Sequence, residues 1–296
     1  MASPPEFVAA NGLSFELHAA GDASSDRLAL LLHGFPEHAF SWRHQLPLFA
    51  RLGYRVWAPN QRGYGKSSKP KGVASYRIDE LVADVAALID ASGKPRVTLV
   101  GHDWGGLVAW ELALQRVRPL ERLVILNVPH PVRFREELAS NPAQRRRSRY
   151  AAFFQLPWLP EWAFRRNRAA LVGEAFRGMA VDKSRFPDEV LAVYRENALQ
   201  PGAMTAMLNW YRANGRHFGA LGQPATAAHP IIETPTLLIW GEEDSALGKE
   251  LTFGTERHVK DLTVRYLPRV SHWVQQEAPE AVNEILESWL TRSSAR

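Results

Sequence analysis

The stretch V-T-L-V-G-H-D-W-G-G-L-V-A-W, residues 97–110, constrains this chain more than any other. Residues 97–100 form a short apolar run rich in β-branched side chains, the pattern of a buried strand. Gly101, Gly105 and Gly106 then crowd a tight turn, after which Val108 and Leu112 recur at helical spacing. Strand, glycine-flanked turn and helix together predict a nucleophile elbow, with the reactive residue pushed up on a strained turn. The residue at its centre is Asp103. A carboxylate is ionised at neutral pH and attacks an electrophilic sp3 carbon without a base to activate it. The product is an ester of the enzyme itself, and its hydrolysis requires a general base and an oxyanion hole. The alternative reading of Asp103 is a helix cap.

The rest of the chain supplies what such chemistry needs. With 296 residues, 46% of them hydrophobic, it is long enough for one large domain or a core with an insertion. Residues 7–15 alternate around Asn11-Gly12, a hairpin signal. Runs at 28–32, 54–58, 123–126, 236–240 and 262–267 read as further strands, and 40–52, 78–89 and 279–290 as helices. Strands alternating with helices predict an α/β architecture: a mostly parallel, doubly wound sheet covered on both faces. The alternation stops between 132 and 228, where aromatic residues and arginines dominate, so this segment is expected to be a helical lid inserted into a core made of 1–131 and 229–296.

The chain order nucleophile, acid, histidine matches the α/β-hydrolase fold. Asp244 follows the strand at 236–240, and His272 follows the last strand; Asp244 would orient His272 through Nδ1, leaving Nε2 to take a proton from water. Glu242 and Glu243 are neighbouring rivals for the acid. Backbone donors are expected from H-G-F-P after the strand at 28–32, so the N–H groups of Phe35 and Trp104 are candidates for the oxyanion hole.

These pieces resemble the epoxide hydrolases of the α/β-hydrolase superfamily. The likeness is carried by H-G-F-P-E (33–37), S-W-R-H-Q (41–45), R-G-Y-G-K-S (62–67), G-H-D-W-G-G (101–106), Y-A-A-F-F-Q-L-P-W-L-P-E (150–161), N-W-Y-R (209–212), W-G-E-E-D (240–244) and S-H-W (271–273). The resemblance implies hydrolysis of an epoxide to a vicinal diol through an Asp103 ester, with Tyr150 and Tyr211 donating to the epoxide oxygen; Tyr194 is a spare candidate. It also favours Asp244 over its rivals through W-G-x-x-D, and Asn127 occupies the place where some relatives carry the acid. Phe35, Trp104, Phe153, Phe154 and Trp210 would line the pocket, although core packing explains these aromatics equally well. Asn60 stands where relatives usually have an aspartate, and a cis peptide is expected between Phe35 and Pro36.

The resemblance implies no organic cofactor and no metal, and an apolar or aromatic epoxide as substrate. A dehalogenase with the same Asp nucleophile is the nearest competing reading. Against it, Gly105, Gly106 and Leu107 provide no arginine of the kind that haloacetate enzymes carry there. A non-catalytic receptor on the same fold is a third reading. The chain has no cysteine, which excludes disulfides and a thiol nucleophile. Its net charge of +5 is partly concentrated in Arg145, Arg146, Arg147 and Arg149, with no nucleic-acid-binding signature, and this run reads as a solvated basic face. No signal pattern and no apolar run approaching the ~20 residues of a membrane span are present, so a cytoplasmic protein, monomer or homodimer, is expected.

Overall fold

The computed structural model describes residues 5–219 and 230–292. Strands β1 (Glu6–Ala10) and β2 (Leu13–Ala20) form the expected hairpin, with Asn11 and Gly12 at φ 46° and 68°, the left-handed pair that a two-residue turn demands. β3 (Arg27–Leu32), β4 (Arg55–Pro59), β5 (Arg96–His102), β6 (Arg122–Leu126), β7 (Thr236–Gly241) and β8 (Leu262–Leu267) complete one eight-stranded sheet in the order β1-β2-β4-β3-β5-β6-β7-β8. β1, β2 and β4 pair antiparallel, and every pairing from β4 to β8 is parallel.

Both faces of the central strands are buried, which is why their sequences are continuous apolar runs. On β3, Leu28, Leu30 and Leu32 enter the cluster that α2 (Ile78–Ser92) and α3 (Asp103–Leu114) cover. Ala29 and Leu31 point the other way, into the cluster that holds Leu48 of α1 (Leu46–Arg51) and Leu286 and Trp289 further along the chain. Residues 40–52 are not the single helix that periodicity predicts. A 3-10 turn over Ala39–Trp42 and the separate helix α1 replace it, because Pro47 lacks the N–H an interior helical position needs and is accommodated in the first turn.

Between β6 and β7 the chain runs through α4 (Pro131–Ser140), α5 (Pro142–Arg147), α6 (Tyr150–Phe153), α7 (Leu159–Met179), α8 (Asp188–Leu199) and α9 (Ala203–Gly219). The expected end of the lid at 228 lies outside the described residues. Phe154, Phe176, Met207 and Trp210 of this inserted helical segment belong to the same apolar cluster as the α2/α3 face of the sheet. The chain closes with α10 (Val274–Glu277) and α11 (Pro279–Thr291).

Asn60 has a long-range explanation. Its amide nitrogen donates to Glu16 Oε2 at 2.7 Å, and its Oδ1 accepts the Ala39 N–H at 2.8 Å, all within the core. An aspartate at 60 would set a second carboxylate against Glu16; the amide can donate instead.

Candidate active site

β5 delivers Asp103 to the start of α3 at φ 49°, a left-handed conformation that costs an ordinary residue energy. Two glycines let the backbone close around it. A Cβ on Gly101 would lie 2.5 Å from the Gly105 carbonyl oxygen, and one on Gly34 would lie 2.5 Å from Asp103 Oδ1. The second approach places the H-G-F-P loop beside the carboxylate, where the Phe35 N–H donates to Asp103 Oδ1 at 2.8 Å. The Phe35–Pro36 peptide is cis. Trp104 opens the first turn of α3, where backbone N–H groups point out of the helix end.

The two carboxylate oxygens of Asp103 therefore differ. Oδ1 is held by the loop, and Oδ2 lies 3.6 Å from His272 Nε2. On the far side of the imidazole, Nδ1 donates to Asp244 Oδ2 at 2.7 Å. Asp244 Oδ1 accepts the N–H groups of Ala246 and Leu247 at 2.8 and 2.9 Å, and Oδ2 also accepts the Asn127 amide at 2.8 Å. These donors and His272 outweigh burial, so the Asp244 pKa falls below the usual carboxylate range. Burial alone would lower the pKa of His272; the Asp244 carboxylate, with Asp103 adding to it, more than offsets burial and raises it to about 10. The rival acids do not reach the imidazole: Glu242 pairs with Lys249, and no ion pair joins Glu243 to His272.

Above Asp103 is a cavity of about 1300 Å3 that Asp103, Trp104, Tyr150 and Tyr211 help to line. Tyr211 of α9 is buried with its ring 4.9 Å from that of Trp104 and 5.1 Å from that of Phe35. Tyr150 of α6 has 39% of its surface exposed, and it faces this cavity with its ring 6.1 Å from that of Tyr211. Desolvation of the hydroxyl comes first, even for Tyr150 whose side chain is partly exposed as a whole, and the Asp103 charge adds to it, so both phenol pKa values rise and both hydroxyls keep their protons at neutral pH. Tyr194 lies elsewhere: it is fully buried against Phe176, with its hydroxyl 3.0 Å from Ser41 Oγ.

Four aromatics expected along the pocket wall are not among the residues lining the cavity. Phe35 and Phe154 pack against Tyr211 from behind, with rings 5.1 and 4.8 Å away. Trp210 is buried between Tyr64 and Trp104, its Nε1 donating to the Arg62 carbonyl at 3.1 Å. Phe153 is 36% exposed and touches Phe154. The first three are better described as the packing that sets the angle of Tyr211 and Trp104.

The global arrangement has counterparts in known proteins. A family model for the alpha/beta hydrolase fold matches residues 30–278. The AB hydrolase superfamily protein YfhM of Bacillus subtilis is 41% identical over 96% of this chain and 97% of its own length. Epoxide hydrolase 4 of Mus musculus is 38% identical, covering 97% of this chain and 79% of its own. A crystal structure of Bacillus megaterium epoxide hydrolase in complex with an inhibitor superposes with a TM-score of 0.89 at 29% identity, covering 97% of this chain and all of that one. This chain belongs to the epoxide hydrolases of the α/β-hydrolase superfamily.

Two features of this epoxide hydrolase family member escape inspection of its sequence. The first is Asn127, whose amide donates to Asp244 while its Oδ1 accepts the Gly241 N–H at 2.9 Å. Asn127 thus ties the end of β6 to the acid that follows β7. The second is a buried pair behind the imidazole. His102 Nδ1 lies 2.7 Å from Glu37 Oε2, and His102 Nε2 donates to the His272 carbonyl at 2.9 Å. Gln275 and Gln276 donate to the other Glu37 oxygen at 2.9 and 2.8 Å. Both residues lie inside quoted motifs, H-G-F-P-E and G-H-D-W-G-G, but only their burial reveals the connection. Among the described residues no helix is long and apolar enough to cross a membrane.

Proposed function

We propose that this protein hydrolyses epoxides to vicinal diols through an ester on Asp103, within a core of 1–131 and 229–296 capped by a lid over 132–228. The observation that carries the reading is the asymmetric Asp103 carboxylate beneath two protonated phenols. Oδ2 attacks an epoxide carbon, and the ring C–O bond breaks as the new C–O bond forms. Tyr150 and Tyr211 donate to the developing alkoxide, where a fixed donor in a dry site is most effective. The alkoxide ends with a proton, supplied directly or by way of solvent as His272 becomes neutral.

Esterification removes the Asp103 charge, one of the two that hold His272 protonated. The neutral imidazole then takes a proton from water through Nε2 while the water oxygen attacks the Asp103 carboxyl carbon. Oδ1, already held by Phe35 N–H, becomes the oxyanion, with Trp104 N–H as the second donor. The intermediate collapses, the alcohol oxygen leaves with a proton as the diol, and Asp103 keeps one oxygen from water.

A single turnover in oxygen-18 water with enzyme in excess tests this. Label is expected in Asp103 and not in the first diol released; label confined to the diol would refute the ester. His272→Gln should trap the intermediate, raising the intact mass by that of the substrate. A parallel halide-release assay with haloalkanes and haloacetate separates this reading from dehalogenation.

A further inference from the structure

The two most exposed large apolar side chains among the described residues are neighbours on the helical insertion, Trp158 at 72% and Trp162 at 56%. The other eight tryptophans of the chain are all buried. The Trp162 N–H donates to the Trp158 carbonyl at 3.0 Å, which sets the two residues one helical turn apart at the start of α7. The Arg166 guanidinium lies 5.2 Å over the Trp162 ring. Leu156, two residues before Trp158, is also exposed, and its N–H donates to the carbonyl of exposed Phe153 at 3.1 Å. A clamp from beneath holds this stretch in place. Arg212 of α9, itself largely buried, donates to the Phe154 and Leu156 carbonyls at 3.0 and 2.7 Å and to the Glu161 carboxylate at 2.6 and 2.9 Å. The polar groups of the stretch are thus drawn inward while its tryptophans are left in water. An exposed apolar patch built in this inverted way marks a contact surface.

Charge identifies what the surface fits. Residues 142–173 hold seven arginines and one carboxylate, that of Glu161, which Arg212 already pairs. Arg165, Arg166 and Arg168 are exposed and form no ion pair with a described residue. A second copy docking through the same face would set arginines against arginines, which opposes self-association. Exposed tryptophans beside uncompensated arginines are the composition of a segment that lies on an anionic bilayer, with the amphipathic indoles at headgroup level and the guanidinium groups on phosphates. We propose that this face of the insertion docks peripherally on an anionic lipid bilayer through Trp158, Trp162, Arg165, Arg166 and Arg168. Ala152 and Gln155 of the adjoining stretch line the cavity above Asp103, so the docked segment continues directly into the cavity wall.

The test uses the full chain with two kinds of vesicle, phosphatidylcholine alone and an equimolar mixture with phosphatidylglycerol. Co-sedimentation should show binding to the anionic vesicles and little to the neutral ones, and added salt should weaken it. Lipids brominated near the headgroup should quench part of the tryptophan fluorescence, and W158F/W162F should abolish that quenching, because the remaining tryptophans are buried. R165Q/R166Q/R168Q should weaken anionic binding by about a hundredfold, at roughly fivefold per arginine, and W158S/W162S by about tenfold or more. Urea midpoints check the fold of each variant, and quenching of the wild-type protein stands without them. Equal binding to both vesicles would overturn the proposal. So would anionic binding without quenching, or binding that W158S/W162S leaves intact, since the net charge alone would then account for it. A lipid-free dimer that W158S/W162S dissolves would overturn it in favour of a second copy. None of these readouts requires turnover, so their outcome is independent of the epoxide hydrolysis proposed above.

Discussion

If His272 changes its protonation state between the two half-reactions, pH must act on them differently. The imidazole stands between two carboxylates, 2.7 Å from Asp244 and 3.6 Å from Asp103, and its pKa is about 10. A unit charge at 3.6 Å contributes about 5 kcal/mol at an effective dielectric constant of ~20. Neutralising Asp103 as an ester removes that support while the larger contribution of Asp244 remains, so the His272 pKa falls from about 10 back toward the ordinary imidazole range. Ester formation needs only an ionised Asp103 and protonated phenols, and the latter are secured by their raised pKa values. Stopped-flow fluorescence, using Trp104 beside the nucleophile, should give an alkylation rate that is level from pH 6 to 9. The hydrolysis rate of the ester needs neutral imidazole, so it should rise with pH through an apparent pKa well below that of His272 in the free enzyme and fall about tenfold per unit below it. An alkylation rate that titrates with the same apparent pKa as ester hydrolysis, or an ester that decays at one rate from pH 5 to 8, would refute the electrostatic switch.

Other perturbations have expected outcomes of their own. Tyr211→Phe and Tyr150→Phe each remove one donor to the alkoxide and should slow alkylation by about 10- to 100-fold, less than the 10²–10³ of an unshared donor, while the double variant loses far more than either. Ester hydrolysis measured after loading by a reactive epoxide should be unchanged in the single variants. Asn127→Ala removes one donor to Asp244 and should lower kcat about tenfold. Glu37 is buried, and the neighbouring His102 outweighs burial and lowers its pKa to about 2. Stability from that depressed pKa is present above the ordinary glutamate range and lost as pH falls toward about 2. Glu37→Gln removes the buried carboxylate that accepts from the Gly34 N–H and from Gln275 and Gln276, and should cost about 2 kcal/mol in urea unfolding at pH 7, a deficit that shrinks below pH ~4.

Local signals carried much of this architecture, and their limits are physical. The strand, glycine turn and helix around Asp103 are written in consecutive residues, so β5 and α3 are legible, as are the Asn11-Gly12 hairpin and the buried runs of β3, β6 and β7. Periodicity failed at 40–52 because it counts apolar spacing and ignores the hydrogen bond that Pro47 cannot make. Whether an aromatic faces a cavity or packs behind one depends on contacts between distant segments. Phe154 and Tyr211 are both aromatics of the helical insertion, yet one packs against the ring of the other. The same holds for amides that stand where carboxylates are expected. Asn60 meets Glu16 and Asn127 meets Asp244, each across at least 44 positions of chain.

Those two amides follow one electrostatic rule. A buried site with one carboxylate already present favours a neutral donor beside it, because two adjacent anions cannot both remain ionised away from water. At position 60 the consequence is structural, since the amide joins the hairpin to the loop after β4. At position 127 it is functional. In the proposed reaction a second carboxylate there would compete with His272 for the proton taken from water, whereas the amide donates to an ionised Asp244 and leaves Asp103 as the charge that changes beside His272. The acid's location after β7 and the asparagine after β6 are therefore a coupled choice, and the proposed protonation cycle of His272 requires both.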